Sequence, residues 1–174
     1  MSGKSKGSAF ERKIAKEIVK AYQHFGITQK DCWRSTLSGG HSRAAGDLEI
    51  SERLEKIFPF CLEMKHRKKI RYENFLLDKK SEEKSWITQT LDGARKARGT
   101  YPVLVMRANN CPIYALVGRG EFESNTELNI DSVLWNLMPW KTFLKKAIRG
   151  IKRFPRLRRR KRNGPRRTAK RKDE

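Results

Sequence analysis

An α/β fold, a mixed β-sheet flanked by helices, is the architecture this sequence predicts, and three observations carry it. Phe10, Ile14, Ile18 and Tyr22 recur every four residues and mark one amphipathic helix, while Ile87, Leu91 and Ala94 mark a second within residues 81–98. Between and after these helices stand short apolar runs of strand length, at residues 46–50, 60–65, 101–107 and 113–117. The resulting order of helix, strand, strand, helix, strand, strand suits one sheet with helices packed on it.

Each element has its own signals. Ser8 and Glu11 form an S-x-x-E capping box that opens the first helix, and Gly26 ends it. A polar, glycine-rich loop follows at residues 33–43. Asp47 lies in Gly46-Asp47-Leu48-Glu49-Ile50, and Glu63 and Lys65 lie in the next candidate strand. The fifteen residues between Asp47 and Glu63 allow the two strands to pair as a hairpin. A basic stretch at residues 66–71 leads to the second helix, and Asn109-Asn110-Cys111-Pro112 makes the turn between the last two strands. Beyond Gly120, Asp131 is expected to cap a short helix through Leu137, and Pro139 to start another from Trp140 to about residue 151. The organisation predicted is a core at 1–120, a helical extension at 121–152 and a basic, disordered tail at 153–174.

Charge narrows the class of partner. The chain has 174 residues, 41 Lys and Arg against 19 Asp and Glu, and a formal net charge of +22. Residues 141–174 hold 17 of those bases and 2 of the acids. At residues 153–172 there are 12 bases in 20 positions and no acid, a density that cannot collapse into a core. A polyanionic partner, most simply nucleic acid, is implied. No apolar run approaches the ~18 residues that would span a bilayer, and no signal peptide precedes the first helix, so an intracellular, cytoplasmic protein is expected. Cys32, Cys61 and Cys111 are odd in number and far apart, which sets aside a disulfide framework and a zinc pattern.

The candidate chemistry sits on the strands. Glu63 and Lys65 are two apart and project to one side, whereas Leu62 and Met64 face the other. A carboxylate in such a strand is costly without a partner. Beside Asp47, the pair forms an oxygen-donor Mg²⁺ site next to a fixed positive charge, which is what attack on a phosphodiester needs. Plainer accounts exist for each residue: E-x-K triplets decorate surfaces, an aspartate after Gly46 suits a turn, and Glu11 completes a helix cap. Glu49 is assigned to solvent or to support of the site. Gly39 and Gly40 let the backbone near Ser38 approach a phosphate, with Arg34, Ser35 and Arg43 as further phosphate contacts. Arg67, Lys68 and Gln89, and Arg158, Arg159 and Arg160 in the tail, complete the candidate DNA-binding set. His41 and His66 are lone histidines in basic surroundings and are read as exposed. No nucleophile elbow is present.

With those residues placed, the chain resembles the PD-(D/E)xK nuclease superfamily, whose fold is restriction-endonuclease-like, and within it the archaeal-type Holliday junction resolvases. Lys6-Gly7-Ser8-Ala9-Phe10-Glu11-Arg12 is similar to that family's opening K-G-x-x-x-E-R. Residues 34–40 are similar to its R-x-x-x-S-G loop, which puts the active-site serine at Ser38. Gly46-Asp47 stands where the family has Pro-Asp, Glu63-Met64-Lys65 matches E-x-K, and Gln89 falls at a helix glutamine. The match runs from about residue 6 to residue 107, and the segment from 120 onward has no counterpart.

By resemblance, Glu11, Asp47 and Glu63 hold one or two Mg²⁺, with Mn²⁺ as a possible substitute. Lys65 positions the attacking water, and Ser38 contacts the scissile phosphate or completes the site. The products are a 5′-phosphate and a 3′-hydroxyl, and a homodimer cuts branched DNA. The alternatives are another PD-(D/E)xK repair or restriction-like endonuclease acting on duplex DNA, or a non-catalytic basic nucleic-acid-binding protein. The acidic trio separates the last of these, because a pure polyanion binder gains nothing from carboxylates facing its ligand.

Overall fold

Alternation along Phe60-Cys61-Leu62-Glu63-Met64-Lys65 defines the two faces of the central sheet. In the computed structural model, which describes residues 3–35, 46–77, 80–97, 100–118 and 126–150, this segment is the strand β3, Phe60–Arg67. Preceding it are α1 (Gly3–Tyr22), β1 (Cys32–Arg34), β2 (Leu48–Ile50) and the single turn α2 (Glu52–Glu55). After it come α3 (Glu82–Lys96), β4 (Tyr101–Ala108), β5 (Tyr114–Gly118), β6 (Glu127–Ile130), β7 (Val133–Pro139) and α4 (Trp140–Arg149).

The main sheet has five strands in the order β3-β4-β5-β7-β6. β3 and β4 are parallel, joined through α3, and the other pairs are antiparallel, so the sheet is mixed as expected. Phe60, Leu62 and Met64 point with Val103 and Val105 into a core shared with α1 and α4. Leu104, Met106 and Leu116 point to the other face, under Trp86 and Ile87 of α3. β3 is an edge strand. Its side chains Glu63 and Lys65 therefore lie on the α3 face, at the border of the sheet.

Three sequence expectations are corrected. First, α1 begins at Gly3, so Ser8 and Glu11 lie inside the helix and form no capping box. Second, the strand after Asp47 does not pair with β3 as a hairpin. β2 pairs antiparallel with β1 in a separate two-stranded sheet, with Trp33 opposite Glu49. Third, the helix expected from Asp131 to Leu137 is a hairpin. Asp131 and Ser132 both have positive φ, 49° and 61°, as a two-residue turn between strands requires, and Val133–Pro139 is β7. The helix expected from Trp140 is present as α4. The basic tail at 153–174 lies outside the described residues.

α4 closes the α1 face of the core. Phe143 is fully buried, 5.1 Å from the Phe60 ring and 5.3 Å from Trp140, and the Trp140 Nε1–H donates to Glu17 Oε2 on α1 at 2.7 Å. No described helix is long and apolar enough to cross a membrane. Truncating Phe143 to Ala is expected to cost about 3–5 kcal/mol by the usual scale for a buried aromatic, in one urea transition. A loss under about 1 kcal/mol, or a second transition, would mean that α4 is not part of this core.

Candidate active site

Asp47 is fastened to the free edge of β3. Gly46 has φ +97°, and a Cβ there would stand 2.5 Å from the Leu62 carbonyl oxygen and 3.1 Å from Cys61 Sγ. Only glycine suits a backbone at that angle and that distance. Asp47 then donates its N–H to the Leu62 carbonyl at 2.9 Å, and its Oδ2 accepts from the Met64 N–H at 2.6 Å. The Asp47 carbonyl accepts from the Ser35 N–H at 3.0 Å, which ties the residue to the end of β1. One aspartate thus satisfies edge groups that a further strand would otherwise pair.

Glu63 and Lys65 complete the cluster from β3 itself. Lys65 Nζ donates to Glu63 Oε1 at 2.6 Å and to Gln89 Oε1 on α3 at 2.8 Å. The Glu63 and Lys65 side chains are only 16% and 15% exposed, so the pair is largely shielded from open solvent. From the other side of the edge, α1 presents Glu11, whose carboxylate accepts from the Arg34 guanidinium of β1. Glu49 is occupied by the Trp33 indole N–H at 3.1 Å and the Ser35 hydroxyl at 2.9 Å, which brace the β1–β2 pair.

Electrostatics mark Asp47 as the strained member. Burial first, then the charge of Glu63 and, more weakly, of Glu11, raise its pKa from 3.8 to about 7, against the Met64 N–H and the Lys65 ammonium. Burial, followed by the charges of Glu63 and Asp47, pushes the neighbouring Cys61 thiol up to about 12, so that thiol stays protonated. Among the described residues, no three His, Cys, Asp or Glu side chains close into a metal cage. Lys65 and Arg34 instead neutralise Glu63 and Glu11. The donor set nevertheless fits a divalent cation: hard oxygen ligands, two of them coupled by mutual repulsion and one desolvated.

The structure brings Asp47, Glu63, Lys65 and Gln89 together, with Glu11 near enough to act on Asp47. Arg34 and Ser35, expected at phosphate, are engaged with Glu11 and Glu49. Arg67 donates to Glu82 at 2.8 Å and lies 5.4 Å from the centre of the Trp86 ring, and Lys68 is exposed. His66 packs against Phe10, with ring centres 5.5 Å apart. Ser38, Arg43, His41 and Arg158, Arg159 and Arg160 lie outside the described residues. Sequence reasoning missed the Arg34–Glu11 pair and the seat of Asp47 on β3. The glycine before the aspartate is the available signal for the second.

The raised pKa has a direct consequence for stability. A carboxyl that binds its proton more tightly when folded favours folding most below its unfolded value, and that advantage is lost as pH rises toward the folded value. The metal-free chain should therefore lose stability as pH rises from 3.8 to about 7. Asp47→Asn cannot ionise and still accepts from Met64. In chelator it should melt several degrees above wild type at pH 8, a difference on the order of a few kcal/mol, and show little advantage at pH 4. An equal difference at both pH values would contradict this electrostatic account.

Over residues 2–126 the chain matches the model of the family described as "Phage putative PDDEXK endonuclease". No curated protein and no solved structure matches it. The matched region spans α1 to β5 and so contains Glu11, Asp47, Glu63, Lys65 and Gln89. With that match over the elements that assemble the carboxylates and the lysine, the chain belongs to this endonuclease family and is a nuclease of the PD-(D/E)xK type.

Proposed function

We propose that the chain is a Mg²⁺-dependent DNA endonuclease, with Mn²⁺ able to substitute, that acts as a homodimer on four-way junctions. The observation that carries the catalytic part is the seat of Asp47 on β3 beside the Glu63–Lys65–Gln89 chain of hydrogen bonds. Asp47 and Glu63, with Glu11, would hold the ion. When bound, it would supply Lewis-acid stabilisation of the phosphate and lower the pKa of a water.

The remaining steps belong to side chains. Gln89 fixes the Lys65 ammonium at a stated place, from which it orients the attacking water and offsets charge developing on the phosphate. Glu63, 2.6 Å from that ammonium, keeps it aimed. Arg34 shields Glu11 in the free protein. A cation held by Glu11 would free that guanidinium to contact a backbone phosphate. Ser38 and Arg43 add phosphate contacts from the glycine-rich loop, by resemblance. In-line attack leaves a 5′-phosphate and a 3′-hydroxyl.

Junction selectivity rests on the resemblance across residues 6–107 and on symmetry, since a two-fold dimer matches a two-fold junction. The second reading, an endonuclease for ordinary duplex, is favoured by the family match itself, which is to PDDEXK endonucleases and not to junction resolvases.

A cleavage panel decides between them. Labelled four-way junction, linear duplex and single strand are incubated with Mg²⁺ or chelator. Cleavage should require the ion, and Asp47→Asn and Glu63→Gln should each lower it on the order of 10²-fold or more, with DNA binding kept or tightened. At roughly 150–200 mM salt, where non-specific binding fades, the junction should be cut in preference to duplex, by a species that sediments as a dimer. Chelator-resistant cutting would overturn the metal site. Equal rates on junction and duplex would select the second reading.

A further inference from the structure

The exposed positions along α1 and α4 carry a single sign of charge. Every exposed position of α1 from residue 12 to residue 20 is a base: Arg12, Lys13, Lys16 and Lys20. Every exposed position of α4 is a base as well: Lys141, Lys145 and Arg149. Glu17 also lies on this face, and its carboxylate is taken up by the Trp140 N–H at 2.7 Å and by Lys13 at 3.9 Å. A groove of about 390 Å³ runs along it between Ala9 and Lys20. Helix surfaces in stable proteins intersperse both signs, because a one-sign face repels itself. Here α3, on the opposite side of the sheet, does intersperse them, with Glu82 and Asp92 among Arg95 and Lys96.

The two helices also point the same way. Phe10 packs on His66, near the end of β3, and Tyr22 packs on Phe58 before its start, so α1 runs antiparallel to β3. α4 begins where the Trp140 backbone N–H donates to the Ile113 carbonyl, at the level of the end of β3, and its Phe143 lies against Phe60 and Phe58 at the start of β3, so it runs in the same sense as α1. The basic strip therefore starts at Arg12, next to Glu11 of the active site. It leads away from that site over roughly 13 Å, at the helical rise of about 1.5 Å per residue.

We propose that the α1–α4 face is a track for the sugar-phosphate backbone of a duplex DNA arm leaving the cleavage site. This rests on the nuclease reading of the site and extends it. The substrate must carry double-stranded DNA beyond the scissile bond on the α1 side, held by its phosphates and not by its sequence. The strip adjoins the site at Arg12, and DNA presents one negative charge per about 1.7 Å of axis, opposite in sign to the bases of the track. Lys and Arg on the outer faces of two helices reach phosphates without entering a groove, so these contacts carry no base readout.

The test uses the full chain in chelator, so that binding is measured apart from cleavage. Three variants are compared with wild type, per charge removed, on a fluorescent 30-base-pair duplex across a salt series: Arg12→Gln/Lys16→Gln/Lys20→Gln, Lys141→Gln/Lys145→Gln/Arg149→Gln, and Arg95→Gln/Lys96→Gln on α3 as a loss of two charges elsewhere. If either triple variant fails to fold by circular dichroism, the single reversals Lys16→Glu and Lys145→Glu replace it.

Each α1 or α4 variant should shallow the log–log salt slope, by up to about 0.9 for every phosphate left without its base, and the α3 variant should leave it near wild type. An unchanged slope in both track variants overturns the proposal, as does an equal change in the α3 variant. So does a loss confined to vesicles of anionic lipid, or to double-stranded RNA, with DNA binding kept. If the slopes shift as expected but wild type never cuts DNA in Mg²⁺, the track stands and the nuclease reading of the site falls.

Discussion

A carboxylate that substitutes for a strand is the interaction on which this site depends. Asp47 meets the edge of β3 with its backbone N–H on Leu62 and its side chain on the Met64 N–H. An edge strand needs its donors and acceptors satisfied or shielded. Here the same residue that shields the edge carries negative charge to Glu63. Gly46 makes that approach possible, and Gly93 on α3 has so little room that a Cβ would stand 3.3 Å from Cys61 Sγ. Fold and chemistry are thus joined at one residue: moving Asp47 would open the sheet edge as well as the site.

The charge pattern follows from that placement. Carboxylates brought together in a sheltered place repel one another and lose hydration, so each needs a compensating cation. Two have one in the free protein, Glu63 from Lys65 and Glu11 from Arg34. Among the described residues, Asp47 is met by a backbone N–H and the more distant Lys65, and it carries the raised pKa. A divalent ion would relieve Asp47 and release Arg34. The chain's excess of positive charge offsets the acidic cluster and attracts a polyanion such as DNA toward it.

Much of this is legible in the sequence where burial writes a period. The four-residue stripe of α1, the alternation of β3 and the Ser81-capped helix α3 each bury one face, and each shows in the residue pattern. The first two turns of α1 escape such a reading. Residues 3–9 are polar or small, and residues 5–9 bury no stripe that would show the helix. The β6–β7 hairpin resembles a helix in sequence because apolar residues occupy both faces of β7: Trp135 on one and Met138 on the other. A strand buried on two sides loses its period of two. At the site, the E-x-K spacing shows that Glu63 and Lys65 share a face. It cannot show Gln89 completing the pair, because that contact joins residues 24 positions apart. The Arg34–Glu11 bond, across 23 positions, is hidden for the same reason.

Whether Asp47 and Glu63 form the divalent-cation seat is tested most directly by anomalous scattering from crystals of the chain soaked in Mn²⁺. A manganese peak in contact with both carboxylates is expected, absent from crystals of Asp47→Asn, with Arg34 turned away from Glu11 wherever the peak is strong. A well-ordered site with no peak at those carboxylates, or a peak that persists unchanged in Asp47→Asn, would contradict it.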